Sequence, residues 1–216
     1  MWLPKSKMLL GCLVALGTTS VVWAGPTAAV TKGDPVSNTV NEPQYGFSFS
    51  LPANWKEIPL TDTDTGALLS AAKSADPGLA NVLDSQLIQA VKQGLKVYAV
   101  GPVSGNFIPN LNIGIESSFG APTGQEFLSE MDAEVKILLA EAGVQDVKTS
   151  DTRLPMGNAL RVTYKLPLKT TSTVIDVGVQ LYLEHGPHIY VITFSSRTMA
   201  LDRSVAQVVE NSWSWK

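Results

Sequence analysis

The chain is 216 residues long, 44% hydrophobic and 16% charged, with 16 basic and 19 acidic side chains, two histidines and one cysteine. A net charge of −3 gives no electrostatic footprint for DNA, RNA or an anionic membrane surface, and a single cysteine excludes an internal disulfide framework. The length suffices to bury one sizeable core without a covalent staple.

Residues 1–24 have the pattern of a secretory signal. Lys5 and Lys7 form a positive n-region, Met8 to Val22 is largely apolar with Thr18, Thr19 and Ser20 inside it, and Val22 and Ala24 are small residues where a signal peptidase reads. A membrane-spanning helix needs about 20 mainly apolar residues, so the stretch is short for a permanent anchor. Cleavage is expected after Ala24. Leu9-Leu10-Gly11-Cys12 also resembles a lipoprotein processing box, which would make Cys12 a lipidated N-terminus. Only Met8 to Gly11 separates Lys7 from that cysteine, whereas a signal core runs about 7–15 residues, so Cys12 reads as a small apolar residue of the signal. Retention of residues 1–24 as an anchor is the remaining alternative. Without Lys5 and Lys7 the remaining 192 residues hold 14 basic against 19 acidic groups, a net charge of −5, and no cysteine. A domain exported to an oxidising compartment would then use no disulfide. Residues 25–44 are small, polar and proline-punctuated and read as a flexible tether before a single domain over 45–216.

The domain opens with Tyr45-Gly-Phe-Ser-Phe-Ser-Leu51, whose strict alternation predicts a strand with one apolar face. Pro52 ends it, Asn54 supplies turn chemistry, and a short second strand runs from Trp55 to Ile58. A polar stretch from Thr61 to Gly66 leads into an alanine-rich segment. Asp76-Pro77 is a helix start, followed by Leu79, Val82, Leu83, Leu87 and Val91 at helical spacing, with Gly94 as the stop. Strands follow at 96–100 and 111–115. Thr123-Gly-Gln-Glu126 reads as a capping box for a helix whose stripe is Leu128, Met131, Val135, Leu138, Leu139 and Ala142, closed by Gly143. From Val144 the period becomes two, giving strands over 147–154 and 160–166, a long one over 175–183 and a near-continuous apolar one over 189–194. Their short connections favour antiparallel pairing. Leu201, Val205, Val208 and Val209 give a last helix, followed by Asn211-Ser-Trp-Ser-Trp215. Strand runs with interspersed helices predict an α+β fold, an antiparallel sheet covered by helices.

Four phrases in this order resemble the PsbP-like superfamily: Tyr45-Gly-Phe-Ser-Phe-Ser-Leu-Pro-x-x-Trp55, Gly157-x-Ala159-Leu-Arg-Val-Thr-Tyr164, His188-Ile-Tyr-Val-Ile-Thr-Phe194, and a helix ending in Asn211-Ser-Trp213. The resemblance spans residues 45–215 and covers a group that includes the photosystem subunit PsbP and the envelope proteins DcrB and LpqN. It implies an α/β/α sandwich and roles in binding or assembly rather than catalysis. An acidic, exported chain looks more like the envelope members. The longer 61–94 segment departs from a minimal domain of this kind.

Motifs with chemistry are few. His185 and His188 flank Gly186-Pro187 and read as solvated turn histidines, since a metal needs more ligands than Glu184 adds. Asp62 and Asp64 lack the distal glutamate of a calcium loop. Ser70-Ala-Ala-Lys73 lacks the S-D-N and K-T-G partners of penicillin-interacting enzymes. No catalytic, cofactor or metal residue is therefore assigned, and the chain reads as a non-enzyme. Trp55 and Trp213 are expected to close the core. Trp215 should face the other way from Trp213 if the tail is extended, which makes it the candidate for an exposed contact; the alternative is a terminal tryptophan packed on the sheet. The expected role is an exported, non-enzymatic binding or assembly module of the bacterial cell envelope with a protein partner. The alternative is a carrier holding a small apolar or lipid ligand between sheet and helices, lined by the apolar stripe of the 76–94 segment.

Overall fold

The computed structural model describes residues 38–58, 60, 91, 94–102, 109–118, 121–167 and 175–216. Cys12, the Asp62/Asp64 loop, the Ser70/Lys73 pair and nearly all of the helix expected over 76–94 lie outside the described residues.

In chain order the elements are β1 (Asn38–Glu42), a 3-10 turn (Pro43–Tyr45), β2 (Phe47–Leu51), β3 (Lys56–Glu57), β4 (Leu95–Val100), β5 (Asn110–Ser117), α1 (Gly124–Glu141), β6 (Gln145–Leu154), β7 (Gly157–Pro167), β8 (Ile175–His185), β9 (His188–Ser196), α2 (Met199–Ser212) and β10 (Ser214–Trp215). Two sheets form, a seven-stranded one in the order β3-β4-β5-β9-β8-β7-β6 and a three-stranded one in the order β1-β2-β10. Every pairing in both is antiparallel. The architecture is α+β.

The large sheet has two different faces because its strands alternate. One face sets Val97, Leu111, Ile113, Val179, Leu181, Ile192 and Phe194 against α2 and the small sheet, where Phe47, Phe49, Val205, Val209 and Trp213 complete the core. The other sets Leu160, Val162, Tyr164, Tyr182 and Val191 under α1, which answers with Phe127, Leu128, Met131, Val135 and Leu139. Trp55 and Trp213 belong to the first core, as their sequence positions suggest.

Two local expectations change. The tether expected over 25–44 gives way at Asn38, because 38–42 is a strand in register with β2, Val40 opposite Phe49. Val40 is fully buried while its neighbours stay partly or wholly wet, so one apolar residue in a polar run holds the strand down. Thr123 is the N-cap of α1, but its hydroxyl makes no capping bond. The backbone N–H of Gly124 instead donates to Glu184 Oε2 on β8 at 3.4 Å, so a carboxylate from the sheet occupies the helix N-terminus. At α2 the Thr198 hydroxyl does cap, accepting from the Leu201 N–H at 3.3 Å.

Gly178 lies opposite Tyr164 across β8 and β7, and a Cβ built there would fall 2.1 Å from that ring. The ring packs closely over a buried glycine. Gly178→Ala is expected to destabilise the fold by roughly 2–3 kcal/mol, read by urea unfolding. A cost under about 0.5 kcal/mol would show that Tyr164 moves aside freely.

Candidate functional site

The aromatic residues of the opening and closing phrases converge with the β8–β9 hairpin at one end of the molecule. Phe47 and Phe49 point the same way along β2, and Trp213 stacks on both, at 4.6 Å and 13° to Phe47 and 5.4 Å and 2° to Phe49. Tyr190 of β9 meets Phe47 edge-on at 5.8 Å, and its hydroxyl donates to the Tyr45 carbonyl at 2.9 Å. Trp215 packs edge-on against Tyr190 at 5.2 Å and Trp213 at 5.3 Å, while its indole N–H donates to the Met156 carbonyl at 2.8 Å. The series ends in two imidazoles. His185 lies parallel on Trp215, 3.8 Å between centroids, and His188 meets Tyr190 and Tyr45 edge-on at 6.1 and 6.3 Å. Lys96 Nζ sits 5.7 Å over the Tyr45 ring.

This geometry bears on two sequence expectations. Trp215 is not a free exposed contact: it is half-buried, held by one hydrogen bond and three rings. Its β10 partner is β2, and that pairing turns the indole back over the hairpin. The histidines are more than solvated turn residues. They stand opposite one another across the two-residue turn, and each ring is engaged by an aromatic neighbour. Among the described residues no group of three or more His, Cys, Asp or Glu side chains could hold a metal.

The α1-side face of the large sheet carries a buried polar row where β8, β9 and β5 run side by side. Tyr182 donates its hydroxyl to Gln180 Oε1 at 2.8 Å, Gln180 Nε2 donates to Thr193 Oγ1 at 3.0 Å, and Asn112 Nδ2 donates to Asn110 Oδ1 at 3.5 Å. Asn112 Oδ1 is buried without a hydrogen-bond partner among the described residues. An apolar ligand laid on this row would meet amide and hydroxyl groups rather than hydrocarbon.

Titratable groups cluster at α2. Arg161 of β7 donates to Glu210 Oε1 at 2.7 Å; burial pushes the Glu210 carboxyl up, and Arg161 opposes that. Asp202 is 2% exposed, and its Oδ2 lacks a partner among the described residues. Burial pushes its carboxyl up to about 8, against a hydrogen bond with Ser196.

No protein-family model matches the chain, and no curated protein matches it. Solved structures do. The solution structure of cyanobacterial PsbP (CyanoP) from Synechocystis sp. PCC 6803 superposes with a TM-score of 0.52 at 10% identity, over 89% of this chain and 100% of that one. The fold is PsbP-like. A crystal structure from Bacteroides thetaiotaomicron VPI-5482 gives a TM-score of 0.49 at 11% identity over 83% of this chain, which spans 48% of that protein's length. LpqN, involved in cell envelope biogenesis of Mycobacterium tuberculosis, gives 0.43 at 12% identity, over 86% of this chain and 87% of that one.

Within this PsbP-like frame Asp202 makes stability depend on pH. Below the ordinary carboxylate range both folded and unfolded chains hold the proton. Between about 4 and 8 the unfolded chain ionises while the folded one keeps its proton, so stability falls as pH rises through that window and levels off above it. Asp202→Asn removes the penalty. The variant is expected to match the parent near pH 4 and to exceed it by about 2 kcal/mol or more at pH 8. Urea unfolding at the two pH values reads the difference, and an offset independent of pH would contradict the assignment.

Proposed function

We propose that the protein is an exported, non-enzymatic binding or assembly module of the bacterial cell envelope, and that it meets a protein partner through the rim formed by Tyr45, His185, His188 and Trp215. The observation that carries this reading is the grading of the ring series. It begins at Phe49, which is fully buried, and ends at His185, which is exposed, with Tyr45, His188 and Trp215 half-buried between them. Rigid rings already fixed by their neighbours lose little entropy on contact, and aromatic anchors of this type dominate binding energy at protein interfaces.

Export is supported by the signal pattern of residues 1–24, and a domain without cysteine in residues 25–216 would use no disulfide in that compartment. The non-enzymatic reading is supported by the sequence, which offers two turn histidines as bases and, in residues 25–216, no cysteine nucleophile. The polar row on the α1-side face disfavours the apolar-carrier alternative. Shared fold alone does not carry function, so the reading rests on the rim.

A photo-crosslinking residue placed at His185 is expected to capture one envelope protein reproducibly in cells. The same probe at Glu130, on the wet side of α1, is not, and His188→Ser together with Trp215→Ala should abolish capture while the variant keeps cooperative unfolding. Equal capture from both positions, or none from either, would remove the rim as the binding surface. A small mass retained on the purified protein in native mass spectrometry would return the carrier to first place.

A further inference from the structure

The outer edge of β6 supports an inference independent of the aromatic rim. Among the described residues β6 ends the seven-stranded sheet and pairs with β7 on one side only. From Lys148 to Leu154 the ladder keeps one register, the irregularity being confined to the Gln145 end, where Asp146 has a φ of 52°. The strand contains no proline or glycine. Its two-residue turn closes on the pair Leu154 and Gly157, so antiparallel alternation turns the backbone N–H and C=O of Arg153, Asp151 and Thr149 away from β7. Such a row is a template for another strand. It is also held in shape, because α1 grips its side chains: Gln125 Nε2 donates to Asp151 Oδ2 at 2.8 Å, and Thr149 bonds to Asp132.

Charge then selects the occupant. Asp151 and Arg153 project from one face of the strand, with Thr152 between them on the other. Two copies paired edge to edge about a two-fold axis normal to the sheet keep their faces continuous, so a residue can stand opposite only residues of its own parity. An axis through Asp151 sets carboxylate against carboxylate. An axis through Ser150 sets Arg153 against Val147. An axis through Thr152 sets Asp151 against Arg153 of the second copy, twice, and these are the residues whose backbone groups face outward. Opposite charges directly across a strand pair stabilise it, and like charges oppose it.

We infer that the β6 edge docks a second copy of this chain, antiparallel and centred on Thr152, so that two sheets become one. The contact is short, the Asp151–Arg153 pairs are exposed, and the association belongs to the weak class of interfaces.

Sedimentation velocity of the purified protein from micromolar to millimolar concentration is expected to show a reversible monomer–dimer equilibrium. Asp151→Arg sets two guanidinium groups against each other in each pair, and Arg153→Asp sets two carboxylates together, so each variant alone should weaken association about tenfold or more. An equimolar mixture of the two should dimerise again, as should the double variant, because both arrangements restore opposite charges. In a Cys12→Ser background, Thr152→Cys should form an intermolecular disulfide under mild oxidation and Ser150→Cys should not. A wild type that stays monomeric would assign these charges to edge protection and overturn the inference. Single variants that associate like the wild type, or a mixture that fails to recover, would overturn it equally.

Discussion

Trp213 packs over Phe47 and Phe49, and this stack joins the segment that opens the domain to the one that closes it. Without it, β2 would keep the Phe47–Tyr190 contact and the Ser50–Ser212 hydrogen bond but lose the ring that covers both phenylalanines. With it, one indole fills the space between β2, α2 and the apolar face of β8 and β9. Truncating a buried ring of this size costs about 3–5 kcal/mol, a large share of the roughly 5–15 kcal/mol that a domain has in total. The stack also sets the position of Trp215 two residues on, and through Trp215 the position of His185. The rim is thus an extension of the core, its order inherited from rings that never meet water.

The two faces of the large sheet divide the work. The face under α2 and the small sheet is mainly apolar, with Arg161 of β7 reaching Glu210 of α2. The α1-side face mixes apolar residues with the row Gln180, Thr193 and Asn112, whose side chains bond mainly to one another or to their strand neighbours. Buried acids follow a related pattern. Asp202 and Glu210 both sit on α2, and burial raises both, but only Glu210 has a cation beside it. Glu116 of β5 is raised by burial and then by Glu134 of α1. Burial thus makes these three carboxylates favour their neutral form, whereas Asp132 and Asp146 are lowered by Lys136 and Lys165.

Much of this architecture was legible in the residues, and the reasons are local. The alternation over 45–51 comes from a strand with one face on a core, and that over 175–183 from a strand whose α2 side is apolar and whose α1 side mixes Gly178, Gln180 and Tyr182. The α1 stripe is legible for the same reason at helical period. β1 was not, because a strand anchored by Val40 alone has no alternation to see. The Thr123 to Glu126 motif was legible and its expected bond is not made, since Glu184 from β8 reaches the helix end first. The aromatic rim was half legible: the opening and closing phrases marked its rings, but His185 and Trp215 lie far apart in the chain and no spacing announces a stack between them. Asp202 sits in the first turn of α2, where an acid is ordinarily favourable, and only the packing of α2 on the sheet shows that it has lost its water.

The pairing of β10 with β2 brings Ser214 and Trp215 opposite Ser48 and Phe47, and the Lys216 N–H donates to the Gly46 carbonyl at 2.8 Å. Contacts across such a long stretch of sequence close late, because the entropy of the intervening loop must be lost before they form. A ribosome or a translocon delivering this chain from its N-terminus therefore releases β2 long before its central ring partner exists. Until residues 213–216 emerge, Phe47 and Phe49 lack the indole that covers them. The order of delivery alone delays closure of this core until residues 213–216 have emerged.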